Sequence, residues 1–227
     1  MKKSRLAITA ALSASVLAGS MLLAAPALAA DVYVPDTTKG VEGDSYPAGW
    51  FTGNPQPDVA PVDDETGITL TGKTQFLYGG TMPVDSASAF AALVDGSAVD
   101  ADGDTYFQYP VFFNSANEEN LGFTTLRPAA PGTPSAEGTW YSSWDVTIGD
   151  ETILAQGEHT FAEVAQAFNA ATALEATPTV LAVGVFVDTG ATALVRSISF
   201  AGDNYYFTEE PEAVAPAPVE DEATFAG

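Results

Sequence analysis

Eight consecutive residues, Val180-Leu181-Ala182-Val183-Gly184-Val185-Phe186-Val187, constrain this chain more than any other stretch. All are apolar or glycine, and half are β-branched valine, which suits extended backbone. A run this short, with no polar position, reads as a central strand buried on both faces. Asp188-Thr189-Gly190 then turns the chain, and Leu194 to Phe200 forms the next strand. Gly202-Asp203-Asn204 makes a tight turn into Tyr205-Tyr206-Phe207.

Upstream, Ile68-Thr69-Leu70-Thr71 alternates apolar and polar residues, as a half-buried strand does. Tyr106 to Phe113, Gly122 to Leu126, Thr139 to Ile148 and Thr152 to Ala155 are further strand candidates bounded by Gly, Pro, Asp or Asn. One helix stands out. Thr160 and Glu163 have capping-box spacing, and Phe161, Val164, Ala165 and Phe168 follow on a single face. Ser86 to Val94 is a second, short helix candidate. Many strands with one or two short helices predict an all-β fold over residues 68–208: an antiparallel β-sandwich of jelly-roll type.

The two ends differ from this middle. Lys2, Lys3 and Arg5 precede an alanine-rich apolar run and Pro26-Ala27-Leu28-Ala29-Ala30, the pattern of a cleaved secretory signal peptide over residues 1–30. The apolar run is too short and small-sided for a spanning helix, so no stable membrane insertion is expected after cleavage. The localisation implied is secreted or extracellular, with cell-wall association an open possibility. Residues 31–67 hold five prolines, eight acids and one base, and read as an extended arm. Tyr46, Trp50 and Phe51 are the residues expected to dock it. Residues 209–227, with six acids, no base and three prolines, read as a disordered acidic tail.

Charge and cysteine narrow the function classes. The leader takes three of the seven bases, so the mature chain has four against 30 acids, a formal charge of −26. Such a field repels nucleic acid and anionic surfaces. There is no cysteine, so an exported domain must be held by its core, with or without help from a metal, and lipidation at a cysteine is excluded. With the alanine-rich leader, this points to a bacterial origin.

The block from Glu158 to Phe207 carries HTFAEVAQAF, VLAVGVFVDTG and VRSISFAGDNYYF. It resembles the end of β-sandwich modules in secreted and surface proteins of high-GC Gram-positive bacteria. In those modules a short helix precedes a buried strand, and a strand similar to SITFGGTTYTF closes the sheet. The resemblance implies a fold and a location. It also implies kinship in architecture with jelly-roll and concanavalin-like domains, many of which bind glycans.

Two constellations are chemically suggestive. Asp100, Asp102 and Asp104 alternate around Gly103, with Asp95 just upstream. Converging aspartate oxygens are a Ca²⁺ ligand set, although Thr105 and Val111 break the EF-hand pattern. The same residues also suit a solvated acidic turn. Trp140, Tyr141 and Trp144, with Tyr106 and Tyr109 on another strand, offer flat rings for sugar stacking. Alternation places Trp140 and Trp144 on one face and Tyr141 on the other, and one face of a sandwich strand is core. Catalysis is not expected. The lone histidine, His159, lies beside the helix start, and no nucleophile elbow, HExxH or phosphate loop occurs. Asp145, Glu151 and Glu158 keep a glycoside hydrolase as an alternative, since that chemistry needs only two carboxylates. The expected partner is a polysaccharide, or else a cell-surface protein bound by a structural or adhesive module.

Overall fold

The computed structural model describes residues 30–34, 38–39, 46–53, 59–113 and 122–211. The expected signal peptide, apart from Ala30, and nearly all of the expected acidic tail lie outside them. The first half of the chain forms β1 (Ala30–Tyr33), β2 (Thr38–Lys39), β3 (Gly49–Thr52), β4 (Val62–Asp64), β5 (Gly67–Thr71), β6 (Thr74–Pro83), α1 (Ala87–Asp95), β7 (Ala98–Asp102) and β8 (Tyr106–Phe112). The second half forms β9 (Phe123–Pro128), β10 (Thr139–Ser142), β11 (Val146–Ile148), β12 (Glu151–Leu154), β13 (Gly157–Thr160), α2 (Phe161–Ala173), β14 (Thr179–Val187), β15 (Thr192–Phe200) and β16 (Asp203–Tyr206).

The fold is all-β and sandwich-like. An eight-stranded sheet runs β13-β10-β9-β8-β14-β6-β3-β2. A second sheet runs β1-β16-β15-β5-β4, with β7 also paired to β15. Pairing is antiparallel except at two peripheral places, where β1 joins β16 and β2 joins β3 in parallel. The hairpin β11–β12 stands apart.

The inner face of the large sheet is covered in two ways. Toward β3, the second sheet packs on it. Trp50 stacks on Phe76 with ring centres 4.8 Å apart and meets Tyr205 and Phe207 edge-on at 5.4 and 4.9 Å. Toward β10, the helices pack on it. Phe90 of α1 stacks on Phe168 of α2 at 4.5 Å and meets Tyr109 and Trp140 edge-on. Both aromatic groups belong to one continuous core.

Local chemistry explains the helices. Ser86 caps α1 by accepting from the Ala89 amide, and the capping box of α2 is complete. The Glu163 carboxylate accepts from the Thr160 amide at 2.7 Å, which holds it below the usual carboxylate range. Phe161, Val164, Ala165 and Phe168, the face expected from spacing, are all buried.

Residues 31–67, expected as an arm, are woven into both sheets through β1, β3, β4 and β5. Trp50 and Phe51 are buried as expected, but on opposite faces of β3, one in the main core and one in a small outer cluster. The expected strand Thr139 to Ile148 is two strands in different sheets, β10 and β11, separated by a bend at Ser143-Trp144.

Phe90→Ala should lower the unfolding free energy by roughly 3–5 kcal/mol, the range for emptying a buried phenylalanine site. Thr160→Ala should lower it by only about 1 kcal/mol, the usual value of a helix cap. Urea unfolding of the mature protein would measure both, and equal losses would contradict this partition of the core.

Candidate functional site

Because β14 is apolar on both faces, its outer face also needs cover. Register shows what stands there. Phe51 pairs with Leu77, Leu77 with Gly184, and Gly184 with Gln108. On the far side, Arg127 pairs with Tyr141, and Tyr141 with Glu158. The β8–β9 ladder runs from Phe112↔Phe123 to Tyr109↔Leu126, and its next step sets Gln108 opposite Arg127. One transverse row therefore crosses seven strands: Phe51, Leu77, Gly184, Gln108, Arg127, Tyr141, Glu158.

The row has two chemical halves. Phe51 and Leu77, with Ala182 of β14 and Tyr46 packed against them, form the apolar half. The chain crosses closely here. A Cβ at Gly79 would stand only 1.8 Å from the Pro47 carbonyl oxygen, so Gly79 is the residue that lets residues 46–47 lie on the sheet.

The polar half centres on Arg127. Its guanidinium carbon lies 5.1 Å from the ring centre of Tyr106, 5.4 Å from Tyr141 and 5.8 Å from Phe186. Tyr106 and Phe186 are themselves register partners, one step along from Gln108 and Gly184. Each cation–π contact is worth roughly 0.5–2 kcal/mol, according to how far the cation is desolvated. No carboxylate among the described residues lies within 4.0 Å of Arg127. Tyr141 donates a 2.5 Å hydrogen bond from its hydroxyl to Glu158 Oε1. That bond, and then the charge of Glu158, raise the Tyr141 pKa above its ordinary value, with Arg127 opposing. Gln108 is only 7% exposed, and its Oε1 has no hydrogen-bond partner.

The residues expected from sequence divide sharply. Tyr106 and Tyr141 meet over Arg127, as just described. Trp140 and Tyr109 are wholly buried core residues, so the expectation that they stack on a ligand is corrected. They occupy the inner face of the strands whose outer faces carry Tyr141, Tyr106 and Gln108. Trp140 donates from its indole to the Ser135 carbonyl, and burial pushes the Tyr109 hydroxyl pKa far up. Trp144 is 62% exposed but sits past the end of β10, outside the row. Arg127, Gln108 and Phe186 were missed as site residues. The signal was present in Thr125-Leu126-Arg127, whose alternation sets Arg127 on the face of Thr125, opposite buried Leu126.

The aspartates are differently disposed from a metal loop. Asp100 and Asp102 lie on β7, not in a turn, and both bind Arg196 of β15. A register shift between Val195 and Ser197 sets Arg196 against them. Asp95 closes α1, and Asp104 lies beyond Gly103, both exposed. Among the described residues, no three His, Asp or Glu side chains are gathered as a metal site. His159 bonds the Ala155 carbonyl through Nε2 at 2.7 Å. Of the hydrolase candidates, Glu158 is held by Tyr141, and Asp145 accepts from the Gln156 amide. A cleft of about 760 Å³ between Tyr33, Asp63, Asp64, Phe207 and Glu209 is lined with carboxylates. No helix among the described residues is long and apolar enough to cross a membrane.

No family model, curated protein or solved structure matches this chain.

A raised tyrosine pKa means the native state favours the neutral hydroxyl. The stability this adds is full below the unfolded value of about 10 and is lost as pH rises through the folded value. In an ultraviolet titration, Tyr141→Phe should delete one late-ionising tyrosine, and Glu158→Gln should return that tyrosine toward ordinary behaviour. A Tyr141 that titrates ordinarily in the unmodified protein would refute the arrangement.

Proposed function

We propose that this chain is a secreted, non-catalytic module that binds glycan on the outer face of its large sheet. The observation that carries this reading is the pair of half-buried tyrosines, Tyr106 and Tyr141, gathered with the buried Phe186 ring around Arg127. Pyranose rings have one apolar face and a hydroxyl rim, so they suit a site where flat rings adjoin fixed polar groups. Arg127, Gln108 and Glu158 supply donors and acceptors beside the rings. The leader and the resemblance to secreted sandwich modules support a place outside the cell. A protein partner joining by strand addition is less well served. The edge strand β4 carries the exposed charges Asp63 and Asp64, which disfavour added strands.

The mature protein should bind oligosaccharides on a glycan array. Tyr141→Ala should weaken that binding about tenfold by calorimetry, equivalent to about 1.4 kcal/mol. Trp144→Ala, removing an equally conspicuous ring outside the row, should leave affinity unchanged. Absence of binding to any glycan, or equal losses from both variants, would overturn the reading.

A further inference from the structure

The mature chain has four bases, Lys39, Lys73, Arg127 and Arg196. Arg196 is occupied by Asp100 and Asp102. Lys73 stands exposed in the turn between β5 and β6. Among the bases with described side chains, Arg127 alone is set among aromatic rings on a sheet face, with no carboxylate of the described residues in reach. Thirty acids surround four bases in this chain, and the nearest carboxylate in the row, Glu158, is engaged instead by the Tyr141 hydroxyl. The guanidinium presents a planar fork of donors that matches a carboxylate in two parallel bonds.

A second, independent observation lies next to it. The Gln108 side chain is more than nine-tenths buried, leaves β8 on the same face as Tyr106, and keeps its Oε1 without a partner. A buried amide oxygen left unpaired costs free energy until something donates to it. That oxygen is shielded from solvent in this structure, so a ligand hydroxyl reaches the amide when the side chain turns outward. Gly184, which lacks a side chain, is its register neighbour on the other side.

We infer that the site is built for a sugar carrying a carboxylate, of the uronic acid class, with the carboxylate on Arg127 and a ring hydroxyl on Gln108. This deepens the glycan reading above and rests on it. A pyranose carries an apolar ring face beside its carboxylate, which suits the tyrosines flanking Arg127 better than an acidic side chain does. The overall charge of −26 opposes a dense polyanion at long range. At physiological salt that field is screened over about 8 Å, so contacts at the site decide affinity.

The test uses the mature protein and a matched panel: galacturonate, glucuronate and mannuronate oligosaccharides, each beside its carboxyl-reduced counterpart. Stereochemistry and length are the same within each pair, and only the C6 group differs, a carboxylate in one and a hydroxymethyl in the other. The expected result is at least tenfold tighter binding of one uronate member than of its reduced partner. Arg127→Gln should abolish that preference, so that the uronate binds no more tightly than its reduced partner. Arg127→Lys, which keeps the charge without the fork, should retain only part of it. The comparison on the unmodified protein needs no variant, so a variant that fails to fold does not spoil it. Equal or tighter binding of the reduced sugars would overturn this inference and leave the glycan reading standing. Binding of no sugar, charged or neutral, would overturn both.

Discussion

Strand β14 is apolar on both sides, and water has to be kept from each. The inner side is the easier case, because the second sheet and the two helices meet over it in one core. Among the described residues, the outer side has no third layer. It is shielded by side chains of its own sheet, Phe51 and Leu77 at one end and the Arg127 group at the other, with residues 46–47 laid across Gly79. An open sheet face has become a partly covered one. The exposed remainder is where rings and polar groups adjoin, so the candidate site follows from the burial demanded by the central strand.

How much of this was legible depends on the distance between the residues that decide it. Helix α2 was plain, because its cap and apolar face lie within nine residues. Strand β14 was plain for the same reason. Strand β7 was not, since three of its five residues are Ala or Val but the other two are aspartates that read as a turn. They are tolerated on a strand because Arg196, more than ninety residues away, lies opposite. The N-terminal arm was misjudged from its prolines and acids, although its aromatic docking residues were recognised. Its strands form by pairing with partners such as β16 and β6, and no local pattern reveals pairing.

The site shows the same limit more sharply. Alternation stated that Trp140 and Tyr141 face opposite ways, but not which way is in. The inner direction was set by Phe90 and Phe161, which close over Trp140. The row from Phe51 to Glu158 is assembled from seven strands, and its order is a property of register alone. Its one tyrosine, Tyr141, and the neighbouring Tyr106 were visible in the sequence. Its arginine was visible only as a charge to be counted.

Those two arginines show how a scarce charge is used. Arg196 and its aspartates lie on the exposed side of the second sheet, where water and salt screen an ion pair and its contribution to stability is small. Arg127 gains from its surroundings differently, because aromatic faces attract a cation without neutralising it. A carboxylate partner would fill the guanidinium fork. Aromatic partners hold the same group in place without filling it. The ring contacts and the lack of a carboxylate partner among the described residues are thus two sides of one arrangement: a cation fixed in position by the sheet.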